Sequence, residues 1–347
     1  MLKRNILLVI IMAMFILPMG LSEAHPGKTD ANGGHICKTN CNKWGLKDGE
    51  YHIHRDGKVI RPNQSKQAPV SQIKTQAVPA GKQAPASIVP VSSATNDLKV
   101  YFLDVGQGDA TYIKTPKGDD ILIDGGNTDK GDLMVKYLKD LKVDDIEVLI
   151  MTHPDADHIG GLHKVMQNFK VKSVYAPKVA HTTETYVTLL KQIKGQGLSI
   201  KPATAGTTIP LQGVSAKFVA PVGTYEKELN EWSAVLHLTY GATSFLFTGD
   251  AEHKSEADML KSKQVLKADV LKVGHHGSNS STSPAFLKAV APKYAVISSG
   301  KDNKYGHPTQ GTLQKLQQSK IITYRTDQKG TILAVSNGKT ITCKTAR

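Results

Sequence analysis

The chain has 347 residues, enough for two domains or for one large domain with an appendage. With 39% hydrophobic residues, 30 glycines and 16 prolines, the composition excludes a collagen-like chain, a coiled coil and a wholly disordered protein. Lysine and arginine (44) exceed aspartate and glutamate (30) by 14, so the surface is expected to attract polyanions such as nucleic acid, teichoic acid or anionic lipid.

Residues 1–24 have the pattern of a secretory signal peptide. Lys3 and Arg4 precede an apolar run over residues 6–17, and Ser22 and Ala24 form a small-x-small cleavage site. An uncleaved anchor is the alternative, but the apolar run is shorter than the ~20 residues that a spanning helix needs. We therefore expect cleavage after Ala24, no membrane span in the mature chain, and a protein that is secreted or associated with the cell wall.

Residues 25–61 form a small Cys/His-rich module without helical or strand periodicity. It contains Cys37, Cys41, His25, His35, His52 and His54. The cysteines and histidines could hold one zinc ion, or the two cysteines could form a disulfide in an oxidising compartment. Residues 62–96 are rich in Gln, Pro, Ser, Lys and Ala, and with so few large apolar side chains they are predicted to be a disordered linker.

The main domain is predicted to span residues 97–347, where strands, turns and amphipathic segments alternate. Three strands at 99–103, 110–114 and 120–123, joined by glycine-bearing turns, predict a β-meander. In chain order, the next predicted elements are a helix at 133–141, a buried strand at 147–152 and helices at 160–169 and 180–195. The second half is predicted to contain strands at 216–220, 234–240, 243–248, 270–273 and 294–298, helices at 284–290 and 309–318, and closing strands from 321. Two β-rich halves with interleaved helices predict two packed sheets flanked by helices.

Residues 152–161, at the end of a strand and the start of a helix, place four metal-type ligands in six residues. These are His153, Asp155, Asp157 and His158. The first two can point at one ion and the last two at another, which predicts a binuclear hydrolytic site. Helix capping by Asp157 is the alternative, but capping explains none of the other three ligands.

Three further ligand-bearing segments adjoin apolar strands or a helix. Asp250 follows the strand at 243–248, where its carboxylate can bridge two cations. His275 and His276 follow the strand at 270–273, and His307 precedes the helix at 309–318. Each alone could be an ordinary turn or core residue. Together they would leave unpaired charge at one rim of the sheets unless an ion is bound there.

On these motifs the chain resembles the metallo-β-lactamase superfamily and, within it, the extracellular hydrolase domain of the ComEC family of competence DNA-uptake proteins. The similarity covers nearly all of residues 98–335, through segments 102–110, 122–126, 153–161, 248–250, 275–278 and 305–308. It implies an α+β fold, a four-layer αββα sandwich preceded by the small irregular N-terminal module. Asp155 replaces the second histidine of the superfamily's His-x-His-x-Asp-His signature.

The resemblance implies two divalent metal ions, Zn²⁺ or Mn²⁺, held by six residues. His153 and Asp155 would bind one ion, Asp157 and His158 the other, Asp250 would bridge them, and His307 would complete the coordination of the second ion. A separate histidine of the superfamily has no match here. Asn230 and Ser233 occupy its approximate place, so the first ion is expected to be held weakly. A carboxylate in place of a histidine makes the site harder, which favours Mn²⁺ more than usual.

The resemblance also implies three catalytic residues. Asp157 would orient the attacking water or accept its proton, while His275 and His276 would donate to a developing oxyanion or protonate a leaving group. His276 could instead be a metal ligand. The N-terminal module, through residues 25–35 and 51–54, resembles the small YHYH-type domain of secreted bacterial proteins, with Ile53 at the third motif position.

The expected function is that of a secreted, metal-dependent phosphodiesterase or nuclease acting on extracellular DNA or a related polyanion. A teichoic-acid phosphodiesterase and an ester or lactone hydrolase are alternatives on the same fold. A non-catalytic cell-surface binding protein is a third alternative. The lysines are scattered along the chain, and no stretch interleaves them with aromatic residues as a base-stacking surface would.

Overall fold

The computed structural model describes residues 34–36, 41, 46, 51–55, 58–60 and 96–347. The chain divides into two units, Met1–Gly81 and Lys82–Arg347. In the first unit, strands β1 (Gly34–Ile36), β2 (Tyr51–Arg55) and β3 (Lys58–Ile60) form an antiparallel sheet. Strands of three to five residues are too short to show alternation, which is why the sequence did not predict them. The predicted signal peptide and residues 62–95 of the predicted linker lie outside the described residues.

Cys41 of the first unit is buried and disulfide-bonded. A disulfide removes the thiolate that a zinc ion would need. Of the two alternatives that the sequence left open, Cys41 therefore takes part in a disulfide and not in a zinc site. Cys37 lies outside the described residues, and Cys343 is a free thiol.

The second unit contains two large sheets. The first has eight strands in the spatial order β11-β10-β8-β6-β5-β4-β19-β20. Their bounds are β4 Leu98–Phe102, β5 Thr111–Lys114, β6 Asp120–Ile123, β8 Val148–Ile150, β10 Val174–Ala176, β11 Ile200–Pro202, β19 Ile332–Ser336 and β20 Ile341–Thr345. A separate two-stranded sheet pairs β7 (Asp145–Ile146) with β9 (Lys170–Val171). The predicted β-meander is the antiparallel run β4-β5-β6.

The second sheet has seven strands in sequential order, antiparallel from β12 to β15 and parallel from β15 to β18. Their bounds are β12 Thr208–Ile209, β13 Ser215–Ala220, β14 Val235–Tyr240, β15 Thr243–Phe247, β16 Val270–Lys272, β17 Tyr294–Ile297 and β18 Ile322–Arg325. The helices are α1 Gly131–Asp140, α2 Ala156–Ile159, α3 Leu162–Asn168, α4 Glu184–Gly195, α5 His253–Lys261, α6 Pro284–Val290, α7 Gln310–Gln318 and α8 Thr326–Lys329.

The central strands, such as β6, β8, β15 and β16, are apolar on both faces because each sheet is covered on both sides. Phe245 and Phe247 of β15 pack in a core between the sheets, whereas Leu246 between them packs under the helices. In β4, Val100 packs in the core between the sheets and Tyr101 packs under the helices on the other face. This period of two follows from the pleat. The result is the predicted four-layer arrangement of helices, sheet, sheet and helices, which confirms the α+β fold class.

Helix α5 is the main element that the sequence did not predict. Only three of its nine residues, Ala257, Met259 and Leu260, are apolar, so its helical periodicity is weak. The first turn is held instead by the distant carboxylate of Glu231, which accepts hydrogen bonds from the backbone N–H groups of Glu252, Lys254 and Ser255. These bonds satisfy donors that a helix start leaves free. A cap from another segment has no signature in the local sequence.

Among the helices of the described residues, none has both the length and the apolar character needed to cross a bilayer.

Candidate metal centre and active site

The candidate site lies where parallel strands of both sheets end. β6 and β8 are parallel neighbours in the first sheet, and β15, β16 and β17 are parallel neighbours in the second. The carboxyl ends of parallel strands share one edge of a sheet, where ligand sites commonly form. The polar residues that follow these strands are Asp124, His153, Asp250, His275, His276 and His307. Strand pairing thus gathers side chains that are far apart in the sequence.

Four buried side chains form the centre of the site. Asp109, His158, Asp250 and His276 offer ligand atoms that all lie within 4.8 Å of one another. The Nε2 atom of His158 lies 3.3 Å from Oδ1 of Asp250, and Nε2 of His276 lies 3.3 Å from Oδ2 of the same carboxylate. Asp157 adds its Oδ2 atom, 3.3 Å from Nε2 of His276. The structure therefore brings His276 into the same cluster as Asp157, His158 and Asp250.

Both central imidazoles are oriented through their Nδ1 atoms. Nδ1 of His158 lies 2.8 Å from Oδ2 of the buried Asp124 carboxylate. Nδ1 of His276 lies 3.1 Å from the carbonyl oxygen of Ser298, with Oδ1 of Asp109 3.2 Å away. Donation through Nδ1 fixes the direction of the ring and, once the imidazole is neutral, leaves Nε2 unprotonated, which is the usual arrangement behind a metal ligand.

A buried lysine balances the charge of Asp109. Lys272, the last residue of β16, is 2% exposed, forms an ion pair with Asp109, and donates a hydrogen bond to the carbonyl oxygen of Val273 at 3.0 Å. Burial opposes ionisation of Asp109, but Lys272 and His276 outweigh it and hold the pKa of this carboxyl below its usual value. Asp109 thus remains an anion beside His276.

The central groups have strongly shifted pKa values. Burial disfavours the charge on Asp250, but the imidazoles of His158 and His276 hold its pKa well below the usual range. Burial would lower the pKa of each imidazole. However, the negative charges of Asp250 and Asp124 raise the pKa of His158 well above its ordinary value. Those of Asp250 and Asp109 do the same for His276. The protein alone thus balances buried carboxylates with protonated histidines.

The donor atoms at the centre fit a divalent cation. Nε2 of His158, Nε2 of His276 and Oδ1 of Asp250 are buried and have no hydrogen-bond partner. Unpaired buried polar atoms are costly, and a shared ion is the simplest group that satisfies imidazole nitrogens and a carboxylate together. Asp109, His158, Asp250 and His276 are the residues whose ligand atoms converge closely enough to hold one ion, and Asp157 can add a further donor beside His276.

A second potential position lies beside the first. His153 is buried, its Nε2 atom has no hydrogen-bond partner and lies 3.6 Å from Oδ2 of Asp155, and its ring centroid is 4.1 Å from that of His158. The hydroxyl oxygen of Ser233 lies 3.5 Å from Nδ1 of His153 and accepts a hydrogen bond from the backbone N–H of Asp250. Ser233 thus braces both His153 and Asp250.

His275 occupies a different environment from its neighbour His276. Its Nδ1 atom lies 2.7 Å from the carboxylate of Glu252, and its Nε2 atom lies 3.7 Å from Oδ2 of Asp250. Burial would lower the pKa of His275, but Glu252 and Asp250 raise it. Both histidines have positive φ angles, 46° and 51°, a backbone conformation that costs free energy and is concentrated at functional sites. His275 is therefore a carboxylate-oriented imidazole at the edge of the cluster, with a pKa above the ordinary value.

His307 is placed near the cluster but not among its four central residues. Its ring centroid lies 5.3 Å from that of His275 and 6.5 Å from that of His276. Burial and the charges of these two histidines lower the pKa of His307 to about 4, so it is neutral at physiological pH. Its buried Nδ1 atom has no hydrogen-bond partner.

The sequence did not single out four residues of this site: Asp109, Asp124, Glu252 and Lys272. Three of them are carboxylates within or beside the motif segments, and Asp109 and Asp124 also adjoin a glycine, so this position was the signal that could have found them. Lys272 has no such signal, because a lysine at the end of an apolar strand is normally a solvated residue.

Comparison with known protein families identifies the chain. The family profile described as "Metallo-beta-lactamase superfamily" matches residues 103–301, more than half of the chain. The chain belongs to the metallo-beta-lactamase superfamily. The matched range starts before Asp109 and ends after His276, so it contains the whole central cluster. The prediction of a metal-dependent hydrolase of this superfamily is confirmed.

Three curated relatives are competence and recombination proteins. "ComE operon protein 3" of Bacillus subtilis is 33% identical over 251 residues, which are 67% of this chain and 32% of that protein. "Recombination protein 2" of Haemophilus influenzae is 34% identical over 235 residues, 66% of this chain and 28% of that protein. "Competence protein ComA" of Neisseria gonorrhoeae is 31% identical over 247 residues, 70% and 33% respectively.

These relatives confirm the resemblance to the ComEC family. The chain spans about a third or less of the length of each of them. What the whole relatives do is therefore a separate matter from what this metallo-beta-lactamase domain does.

Proposed function

We propose that this protein is a secreted, binuclear metal-dependent phosphodiesterase or nuclease that hydrolyses extracellular DNA or a related anionic polymer, free outside the cell or at the cell wall. The observation that carries the proposal is the convergence of unpaired, buried ligand atoms of His158, His276 and Asp250. The net charge of +14 favours an anionic substrate over a neutral ester. The names of the relatives, which refer to competence and recombination, favour DNA.

We assign the ligands as follows. Asp157, His158, Asp250 and His276 would hold one divalent ion, either Zn²⁺ or Mn²⁺, and His153 and Asp155 with Asp250 would hold the second. His307 supplies an additional neutral imidazole beside His275. When bound, such a pair of ions acidifies water and neutralises the negative charge that develops on phosphorus.

The protein's own residues then position the reactants and move protons. Asp157 lies half-buried at the start of α2, and the imidazole of His276 keeps it ionised, so it can orient water and accept its proton. Glu252 fixes Nδ1 of His275 and raises its pKa, which favours the protonated imidazole, whose Nε2 can donate to the leaving oxygen. Burial of the cluster excludes bulk water and strengthens these interactions.

The deciding experiment combines metal analysis of the purified full chain with hydrolysis assays under Zn²⁺ or Mn²⁺. The substrates are linear single- and double-stranded DNA, bis-p-nitrophenyl phosphate and a lactone, and the variants are Asp250→Ala and Asp132→Ala. Asp132 is an exposed carboxylate on α1 and serves as the matched control. We expect bound metal and DNA cleavage in the wild type and in Asp132→Ala, with both lost in Asp250→Ala.

Other outcomes point to the alternatives. Bound metal with cleavage of the bis-aryl phosphodiester but not of DNA would indicate a wall polymer such as teichoic acid. Faster lactone hydrolysis would indicate a carboxylic ester substrate. A chain that binds no metal and hydrolyses nothing would contradict the proposal and leave a binding protein.

A further inference from the structure

We propose that the side chain of Tyr305 forms a stacking subsite for an unpaired nucleobase beside the hydrolytic centre. This inference rests on the proposed function, because it names single-stranded nucleic acid as the polymer that the site accommodates. It assigns a binding role to a residue for which neither the fold nor the metal cluster requires an aromatic ring.

Tyr305 is exposed in a way that packing does not explain. It is 56% exposed, and it is the only aromatic residue among the large, exposed hydrophobic side chains of the described residues. Aromatic side chains normally bury most of their surface. A ring that is left in solvent beside a catalytic cluster is a candidate contact for substrate.

The loop that carries the ring is held in place by the side chain of Asn303. The side chain oxygen of Asn303 accepts hydrogen bonds from the backbone N–H groups of both Tyr305 and His307, each at 3.1 Å. The amide nitrogen of Asn303 donates to the carbonyl oxygen of Gly300 at 2.9 Å. The loop is therefore internally braced, and binding a base would require little further ordering.

Tyr305 continues a run of stacked rings that starts in the metal cluster. The rings of His276 and His307 are stacked at 6.5 Å with an angle of 29° between their planes. The rings of His307 and Tyr305 follow at 5.9 Å and 26°. A base that stacks on Tyr305 would extend this run outward from the cluster.

The surrounding charge suits a phosphate backbone. Lys301 and Lys304 of the same loop are exposed and outnumber its one exposed carboxylate, Asp302, and Nζ of Lys304 lies 5.1 Å from the centre of the Tyr305 ring. A cation over an exposed ring is held more weakly than a stacked base, so an incoming base displaces the ammonium group, which is then free to pair with a phosphate.

The test measures binding of fluorescent single-stranded DNA to the full chain with metal chelated, so that cleavage does not interfere. Two oligonucleotides of equal length and charge are compared, one with all bases and one with abasic residues. The proteins are wild type, Tyr305→Ala and Tyr305→Phe. We expect Tyr305→Ala to weaken binding of the base-containing strand roughly 5- to 150-fold. Binding of the abasic strand should not change, and Tyr305→Phe should retain wild-type binding.

A matched pair of lysine variants controls for charge. Nζ of Lys293 lies 5.1 Å from the ring of Tyr294, the same distance as in the Lys304 pair, but Tyr294 begins β17 whereas the active site follows the end of that strand. Lys304→Ala should weaken binding of both oligonucleotides, and Lys293→Ala should weaken neither.

The inference is overturned if Tyr305→Ala binds both strands as the wild type does, loses affinity for both equally, or if the wild type binds no single-stranded DNA. Failure of the proposed function is a separate result. In that case the wild type hydrolyses no phosphodiester in the presence of metal, while the binding comparison still decides whether Tyr305 stacks a base. Circular dichroism of each variant establishes that it is folded.

Discussion

At the residue scale, the site is built from histidines with one ring nitrogen oriented and the other left free. Asp124 orients His158, and Ser298 and Asp109 orient His276, so that both Nε2 atoms face Asp250. In the absence of metal, protonated imidazoles take the place of the missing positive charge, as the raised pKa values of His158 and His276 indicate. Metal binding must therefore displace protons.

The first prediction concerns the pH dependence of metal affinity. The pKa values of His158 and His276 are raised, so both are protonated in the metal-free chain at neutral pH, whereas a metal ion binds only neutral imidazole. Apparent affinity for Zn²⁺ or Mn²⁺ should therefore increase between about pH 6 and pH 8, with release of protons. Isothermal titration calorimetry in buffers of different ionisation enthalpy measures both quantities. Affinity that does not change with pH would show that these histidines are not ligands.

The second prediction concerns the buried ion pair of Lys272 and Asp109. Lys272→Met leaves the Asp109 carboxylate without its lysine partner, and loss of one partner of a buried pair typically costs about 3–5 kcal/mol in the free energy of unfolding. The double variant Lys272→Met with Asp109→Asn lacks the unpaired charge as well, so it should recover part of that loss. Urea denaturation of the metal-free proteins at one pH measures these differences.

Lys136→Met is the control for the second prediction. Lys136 forms an exposed ion pair with Asp140 on α1, and such pairs contribute only about 0.3–0.5 kcal/mol. Equal effects of Lys136→Met and Lys272→Met would mean that the buried pair has no special contribution to stability.

At the scale of elements, close packing of α2 and α3 against the loops of the first sheet sets the position of His158. Gly160 and Gly161 lie between the two helices, where a Cβ atom at Gly161 would come 2.2 Å from the carbonyl oxygen of Gly125. The nearest atoms belong to the backbone of Gly125 and Gly131, so they cannot move aside as a flexible side chain would. The two glycines are thus required sterically.

The third prediction compares two glycine substitutions that should change the free energy of unfolding in opposite directions. Gly161→Ala should lower the free energy of unfolding by about 1–3 kcal/mol or more, because the new methyl group overlaps backbone atoms. Gly195→Ala, at the last residue of α4, has no atom within 4 Å of its new Cβ and should raise it by about 0.4–1 kcal/mol. Urea denaturation of both variants tests the signs. A neutral Gly161→Ala would mean that the loop of Gly125 yields easily.

At the scale of the whole molecule, the excess of basic residues sets how the protein meets its substrate. A net charge of +14 creates an attractive field for polyanions, and this field weakens with ionic strength. A small substrate with one phosphate is little affected by this field, because it contacts only the active-site residues and not the surrounding basic surface.

The fourth prediction is therefore a difference in salt dependence. The KM for a DNA substrate should increase steeply as salt is raised from about 50 to 200 mM, because phosphate contacts release counterions. The KM for bis-p-nitrophenyl phosphate should change far less. Steady-state kinetics on both substrates with the same preparation measures the contrast. Equal salt dependence would show that the basic surface does not take part in substrate binding.

The sequence by itself determined the order of most strands and helices in the second unit, the superfamily, and the segments that carry the ligands. These features are local. The apolar run of β15, the ligand-dense stretch at 152–161 and the glycines within that stretch are each readable within about ten residues.

Only the tertiary structure decided which side chains meet. It placed His276 in the central cluster, set His275 against Glu252, paired Lys272 with Asp109, and brought Tyr305 into a stack with His307. It also supplied the cap of α5 from Glu231, which is distant in the chain. The physical reason is that ligand geometry and pKa depend on distances of a few ångströms between side chains, and those distances are set by strand pairing and sheet packing.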